Sequence, residues 1–128
     1  MDLDLDISRD LAGPAQARAA VRALRSELDD DVLADTTLLV SELVTNSVKY
    51  GEGSILMHLR TRGTRQVVVE VLDGGATFDP RVRRPSRFAS GGFGLRLVEE
   101  IASRWGIGDD SAHVWFEIDR SGDLAVVA

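Results

Sequence analysis

The chain contains no cysteine, which excludes disulfide bonds, thiolate metal sites and cysteine nucleophiles. Its two histidines, His58 and His113, lack the spacing of metal ligands. No apolar run approaches the ~18 residues that cross a bilayer, so no membrane association is expected. Acidic residues outnumber basic ones, 21 to 15, which gives a net charge of −6. This charge argues against direct binding of nucleic acid, whose phosphates require a basic face.

The remaining composition is that of an ordinary globular protein, with 44% hydrophobic and 28% charged residues. A length of 128 residues suits one core, and we predict a single domain over residues 1–128. The acidic, alternating N-terminus is unlike a secretory or transit peptide. A cytoplasmic location is therefore expected.

Hydrophobic periodicity predicts the order β-α-α-β-β-loop-α-β. Short links favour antiparallel pairing of the middle strands, and three helices need one sheet face to cover, so we predict a two-layer α/β sandwich. Residues 29–31 are expected to form a solvated link. The predicted elements are strands at 2–7, 54–60, 66–72 and 112–119, and helices at 15–28, from a cap at Asp35 or Thr36 to Tyr50, and 93–104.

The second predicted helix carries a continuous polar stripe on an otherwise apolar surface: Ser41, Glu42, Thr45, Asn46 and Lys49. The stripe can simply be the wet side of an amphipathic helix. Its short Ser, Thr and Asn side chains are atypical of a solvated face, however, and asparagine has poor propensity at mid-helix. Asn46 one turn from Glu42 suits a Mg²⁺ ligand beside a proton acceptor.

The third predicted strand ends at Asp73-Gly74-Gly75. A hairpin turn is the alternative interpretation, but no second alternating strand follows directly. A carboxylate only accepts hydrogen bonds, so Asp73 could take a hydrogen from the exocyclic amino group of adenine. Guanine would present a carbonyl there and leave polar groups unpaired.

A long segment without periodicity follows, and we predict that residues 76–92 form a functional lid loop. It ends in Ser90-Gly91-Gly92-Phe93-Gly94-Leu95 and leads into a helix. Glycines allow close approach to phosphates, and a helix N-terminus favours an anion, although such stretches are often only flexible links. The arginines of this loop either grip a phosphate or an acidic partner or are simply solvated: Arg81, Arg83, Arg84 and Arg87.

Three motifs follow one another in a defined order: Glu42-x-x-x-Asn46, Asp73-x-Gly75 and Gly92-x-Gly94-Leu95. Together they resemble the GHKL superfamily of ATP-binding domains. Within it, segments 39–48 and 92–98 look like the anti-sigma-factor serine/threonine kinases of bacteria, and segments 104–106 and 114–116 look like their actinobacterial branch. The resemblance covers roughly residues 10–118.

This resemblance implies a GHKL sandwich with a mixed, mostly antiparallel sheet and three helices on one face. It implies ATP and Mg²⁺ as cofactors, Glu42 as the catalytic residue and Asn46 as the metal ligand. Thr77 stands where the superfamily usually has a second glycine, and Ser90 stands where some relatives have an arginine. The nucleotide-binding residues are then Asn46, Lys49, Asp73, Gly75, Thr77, Gly91, Gly92, Phe93, Gly94 and Leu95.

The function that the resemblance implies is transfer of the ATP γ-phosphate to a serine or threonine of an anti-anti-sigma (STAS-like) protein, together with sequestration of a sigma factor. A homodimer is compatible with it. The alternative is an ATP-binding interaction module that regulates its partner by binding alone. A histidine-kinase fragment is less expected, because His58 and His113 both fall on predicted strands.

Overall fold

Five strands and three helices make up the part of the chain that the structure, a computed structural model, describes: residues 1–74, 93–108 and 113–122. None of the helices in these ranges is long and apolar enough to span a bilayer. The elements are β1 (Asp2–Ile7), α1 (Ala12–Arg22), α2 (Asp30–Tyr50), β2 (Ile55–Arg62), β3 (Gln66–Asp73), α3 (Phe93–Ile101), β4 (Arg104–Ile107) and β5 (His113–Asp119).

The strands form one sheet in the order β1-β2-β3-β5-β4. Every pairing among the described strands is antiparallel. Alternate side chains point to opposite faces of a sheet, so the period-two pattern of the sequence separates a buried face from a polar one. The register places Ile7 opposite Ile55 and Ile55 opposite Asp73. Asp73 is therefore on the buried face, at one end of the sheet.

The helices cover that buried face, with α2 in contact with α1, α3 and β3. The opposite face carries polar side chains such as His58, Glu70 and Arg60. The predicted two-layer sandwich with the helices on one face is confirmed, and the sheet, predicted to be mixed and mostly antiparallel, is antiparallel in all pairings of the described strands. The largest fully buried side chains come from both layers: Phe116, Leu39, Leu43, Ile55, Met57, Leu59, Ile118, Val21, Val32, Val40 and Val44.

The start of α2 differs from the prediction. The helix begins at Asp30, so Asp35 and Thr36 lie inside it, and the extended residue Asp29 precedes its first turn. Acidic residues in a first helical turn are favourable because the helix N-terminus carries partial positive charge. Aspartates 29–31 therefore start the helix and are not a solvated link. The predicted end of α2 at Tyr50 is confirmed.

The limits of the other two helices also differ. α1 runs from Ala12 to Arg22 and continues in turns, and Leu24 and Leu28, in the remainder of the predicted helix range, are buried. α3 ends at Ile101, and Arg104, the predicted helix end, begins β4 instead. This four-residue edge strand was missed because it is too short to show periodicity.

Candidate functional site

The polar stripe predicted on α2 lies on one helix that is buried on most of its sides. Glu42 and Asn46 are half-buried, and Lys49, in the last turn, is exposed. Ser47, next to Asn46, is fully buried. Within the described part of the chain, neither Glu42 nor Asn46 makes a side-chain hydrogen bond. Their carboxylate and amide are thus available to a ligand that enters this side of α2.

The N-terminal part of the stripe is covered by α1. Arg18 donates a hydrogen bond from Nη1 to Ser41 Oγ at 2.9 Å. Thr45 Oγ1 donates to the Ser41 carbonyl oxygen at 2.6 Å, an ordinary back-bond to the preceding helical turn. Ser41 and Thr45 are therefore used inside the protein, which narrows the candidate ligand-binding part of the stripe to Glu42, Asn46 and Lys49.

Asp73 ends β3, and its side chain is fully buried, with 0% exposure. The backbone N–H of Glu52 donates to its Oδ1 at 3.2 Å. The guanidinium of Arg9 donates to the same oxygen at 2.8 Å. A buried carboxylate is costly unless it is paired and hydrogen-bonded, and these contacts meet that requirement.

Arg9, which contacts Asp73, was not among the residues predicted from the sequence. It follows β1 by two positions and also donates to the carbonyl oxygens of Gly53 (Nε, 2.6 Å), Glu52 (Nη2, 3.1 Å) and Ser47 (Nη1). One side chain thus joins the last turns of α2, the loop before β2 and the end of β3. A single arginine in a short link carries no periodic or motif signal, so only the fold could identify it.

The loop before β2 packs closely on Gly74. The Gly74 N–H donates to the Ser54 carbonyl oxygen at 2.8 Å. A Cβ atom added to Gly74 would lie 3.0 Å from the Glu52 oxygen and 3.2 Å from Gly53 Cα. Gly53 itself has a φ of +75°, a conformation in which side chains are strained. The residue after Asp73 must therefore be small for the loop before β2 to pack against the end of β3. We call this end of β3, with the loop that packs on it, the Asp73 corner.

The predicted lid and much of the glycine motif lie outside the described residues. This applies to residues 76–92 and to the candidate positions Gly75, Thr77, Gly91 and Gly92. Phe93 and Gly94 begin α3. The side chain of Leu95, in the first turn of the same helix, is in the hydrophobic core.

The structure brings the α2 stripe and the Asp73 corner to the same end of the domain. The link is direct, because Arg9 bonds both Asp73 and the carbonyl of Ser47, the residue that follows Asn46. A buried acceptor followed by a glycine fits the amino edge of a purine. A half-buried amide oxygen beside a carboxylate fits a hard divalent cation such as Mg²⁺. The donor set therefore fits ATP with Mg²⁺.

Comparison with known proteins agrees with the described fold. The sequence model of the histidine kinase-like ATPase domain matches residues 7–118. No curated protein matches the sequence. Among solved structures, the crystal structure of the RsbU and RsbW domains of Rv1364c from Mycobacterium tuberculosis is similar in fold, with a TM-score of 0.66 and 20% identity. That match covers 92% of this chain and 31% of the other chain, so this chain spans only part of that protein.

The predicted membership of the GHKL group of ATP-binding domains is therefore confirmed. The family match includes α2, β3 and α3, the elements that carry the three motifs. The described fold is the two-layer sandwich that these motifs implied. This chain belongs to the histidine kinase-like ATPase domain family.

Proposed function

We propose that this chain is a protein kinase that binds ATP with Mg²⁺ and transfers the γ-phosphate to a serine or threonine of a partner protein. The observation that carries the proposal is the placement of Glu42 and Asn46. They lie one turn apart on the half-buried face of α2, at the end of the domain where Asp73 is buried. The family match supports ATP as the nucleotide.

In this proposal the two sides of the site have different tasks. Asp73 and Gly75, with Thr77 beside them, recognise the adenine, because an acceptor-only carboxylate selects the amino group of that base. Asn46 is the Mg²⁺ ligand, and the bound cation supplies positive charge that offsets the charge of the phosphates. Gly91, Gly92 and Gly94 line the phosphates, and Lys49, Phe93 and Leu95 are further nucleotide-binding residues.

Glu42 is the catalytic residue in this proposal. The hydroxyl oxygen of the acceptor forms a bond to the γ-phosphorus, the bond to the β-phosphate oxygen breaks, and ADP leaves with that electron pair. Glu42 orients the hydroxyl and accepts its proton. Positioning and charge stabilisation supply most of the acceleration in phosphoryl transfer, so a half-buried carboxylate one turn from the metal ligand suffices for this role.

The test uses purified protein, γ-labelled ATP with Mg²⁺ and a small STAS-like acceptor protein. We expect label on a serine or threonine of the acceptor. Glu42→Gln should retain ATP binding by calorimetry but lose labelling, whereas Glu27→Gln, the same change at an exposed position, should retain both. Labelling that persists in Glu42→Gln would contradict the assigned role.

The partners we propose are an anti-anti-sigma protein as acceptor and a sigma factor that is sequestered, in the cytoplasm. The sequence resemblance supports them, and the similar solved structure contains an RsbW domain. We also propose that the protein forms a homodimer, on the basis of the same sequence resemblance.

A second candidate function is sigma-factor regulation by binding alone, with ATP as a structural ligand. Thr77 and Ser90, which replace a usual glycine and arginine, favour it. Calorimetry that detects ATP and ADP binding, in a protein that labels no acceptor, would support this second function.

A further inference from the structure

Arg9 and Asp73 form a pair whose two members differ in accessibility. The carboxylate is 0% exposed and the guanidinium side chain is 22% exposed. Arginine stays protonated at any physiological pH, so Arg9 supplies a permanent positive charge 2.8 Å from Asp73 Oδ1. The buried carboxylate of Asp73 is therefore held beside a positive charge in the Asp73 corner, where we propose that adenine binds.

The surroundings of Arg9 hold the guanidinium in one orientation. Its N–H groups bond the carbonyl oxygens of Ser47, Glu52 and Gly53 in addition to Asp73. A planar guanidinium with fixed donors transmits that orientation to the carboxylate that it binds. The Glu52 N–H, which donates to the same Oδ1, adds a second constraint from the same loop.

The sheet register explains why Arg9 reaches this point. Ile7, the last residue of β1, is in one row with Ile55 and Asp73. Arg9 follows Ile7 by two residues and so lies just beyond the end of β1. Asp73, the last residue of β3, is at the same end of the sheet. The contact is therefore built from the edge strand of the sheet, which lies outside the three sequence motifs.

We propose that Arg9 is a positioning residue that determines the base specificity of this site by holding Asp73 as an oriented, acceptor-only carboxylate. The proposal rests on the proposed function, in which Asp73 accepts a hydrogen bond from the 6-amino group of adenine. With Arg9 in place, a 6-oxo purine sets one acceptor against another. Without Arg9, the carboxylate can turn away from the position in which it faces the base, so discrimination falls.

The experiment compares the dissociation constants of ATP and inosine triphosphate, which carries an oxo group at position 6, in the presence of Mg²⁺ by calorimetry. We expect the wild type to prefer ATP by about tenfold or more, the range expected when one buried polar pair is left unmatched. Arg9→Gln should reduce this preference by about tenfold. Arg22→Gln, an exposed arginine at the end of α1, is the matched control and should leave the preference unchanged.

Two results would overturn the proposal. If ATP and inosine triphosphate lose affinity equally in Arg9→Gln, the arginine supports the fold but not the specificity. If Arg9→Gln binds ATP more tightly, the arginine competes with the base for Asp73. Arg9→Lys, which keeps the charge but cannot bond all the carbonyls, should show an intermediate preference and provides the same test if Arg9→Gln does not fold.

A double substitution tests whether Arg9 acts through Asp73. In an Asp73→Asn background, adding Arg9→Gln should change the ATP preference by less than about twofold, because the group that Arg9 positions is already altered. A full tenfold change in that background would contradict the proposal. If the wild type binds neither nucleotide at millimolar concentration, the proposed function itself fails; if it prefers ATP regardless of residue 9, only the role of Arg9 fails.

Discussion

Arg65 Nη1 lies 2.7 Å from Asp29 Oδ2, so the turn between β2 and β3 holds the residue that precedes α2. The Asp29 N–H also donates to the Thr64 carbonyl oxygen at 2.9 Å. Arg65 reaches Asp31 as well, at 3.2 Å. α2 is therefore tied to the sheet by an arginine at each end, by Arg65 at its start and by Arg9 at its last turns.

The contact with Arg65 makes stability depend on acid pH. Partial burial raises the pKa of Asp31, but hydrogen bonds from Arg65 and the backbone and attraction to Arg65 outweigh it, so the pKa lies below its ordinary 3.8. The contribution is present above 3.8 and is lost as pH falls through the folded-state pKa. In urea titrations, we expect the difference in free energy of unfolding between wild type and Arg65→Gln to shrink as pH is lowered below about 5.

Arg62→Gln is the control for this titration, since Arg62 is exposed on the same hairpin. It should give a curve parallel to that of the wild type. A difference between wild type and Arg65→Gln that stays constant down to the lowest pH would show that Arg65 does not act through the Asp31 carboxylate.

Gly63 in the turn between β2 and β3 has a φ of +62°, and a Cβ atom added to it would meet nothing within 4 Å. An alanine fits the space but not the backbone conformation, so Gly63→Ala should lower the free energy of unfolding by about 1–2 kcal/mol. Gly63→Asn should cost less, because asparagine tolerates this conformation. Urea denaturation of both variants measures the difference. Equal stability of Gly63→Ala and wild type would contradict the turn geometry.

The elements that the sequence predicted well are those whose pattern is long. β2, β3 and β5 alternate over seven or eight residues, and most of α2 repeats with helical period. The four residues of β4 include Gly106, which leaves too few alternating positions to indicate a strand. The strand order, with β5 between β3 and β4, depends on contacts between distant segments that no local pattern encodes.

The residues of the candidate site also fall into two groups, those predicted from the sequence and those identified only by tertiary contacts. Glu42, Asn46 and Asp73 were predicted because their residue types are unusual for an ordinary amphipathic helix or hairpin turn. Arg9 was missed because its role arises from tertiary contacts made by one side chain in a short link. Asp29 was assigned to a solvated link for a related reason, since a run of aspartates looks solvent-exposed until Arg65 is placed beside it.

Asn46→Ala should remove the Mg²⁺-dependent part of ATP binding. Asn46 is half-buried on α2, and its amide oxygen is the metal ligand that we propose. We expect the affinity for ATP with Mg²⁺ to fall about tenfold while the affinity in excess EDTA changes little, because only the metal contact is lost. Calorimetry in the two buffers measures both. If the affinity for ATP falls equally with Mg²⁺ and in EDTA, Asn46 contacts the nucleotide and not the cation.

Gly74→Ala should loosen the corner that holds Asp73. The added Cβ atom would lie 3.0 Å from the Glu52 oxygen and 3.1 Å from the Ser54 nitrogen, both backbone atoms of the facing loop. That loop must move outward, which weakens the Glu52 N–H bond to Asp73 and the bonds that Arg9 makes to the same loop. Overpacking of this kind costs about 1–3 kcal/mol. We therefore expect lower thermal stability together with weaker ATP binding.

Gly122→Ala is the matched control, because a Cβ atom there meets nothing within 4 Å and the residue is exposed. It should leave both the melting temperature and the ATP affinity unchanged. ATP binding should be measured well below the melting temperature of Gly74→Ala. At such a temperature the variant is folded, so a loss of affinity reports the geometry of the Asp73 corner and not unfolding. A Gly74→Ala protein that is less stable yet binds ATP with the affinity of the wild type would separate this corner from the nucleotide, and the adenine would then have to be recognised elsewhere in the domain.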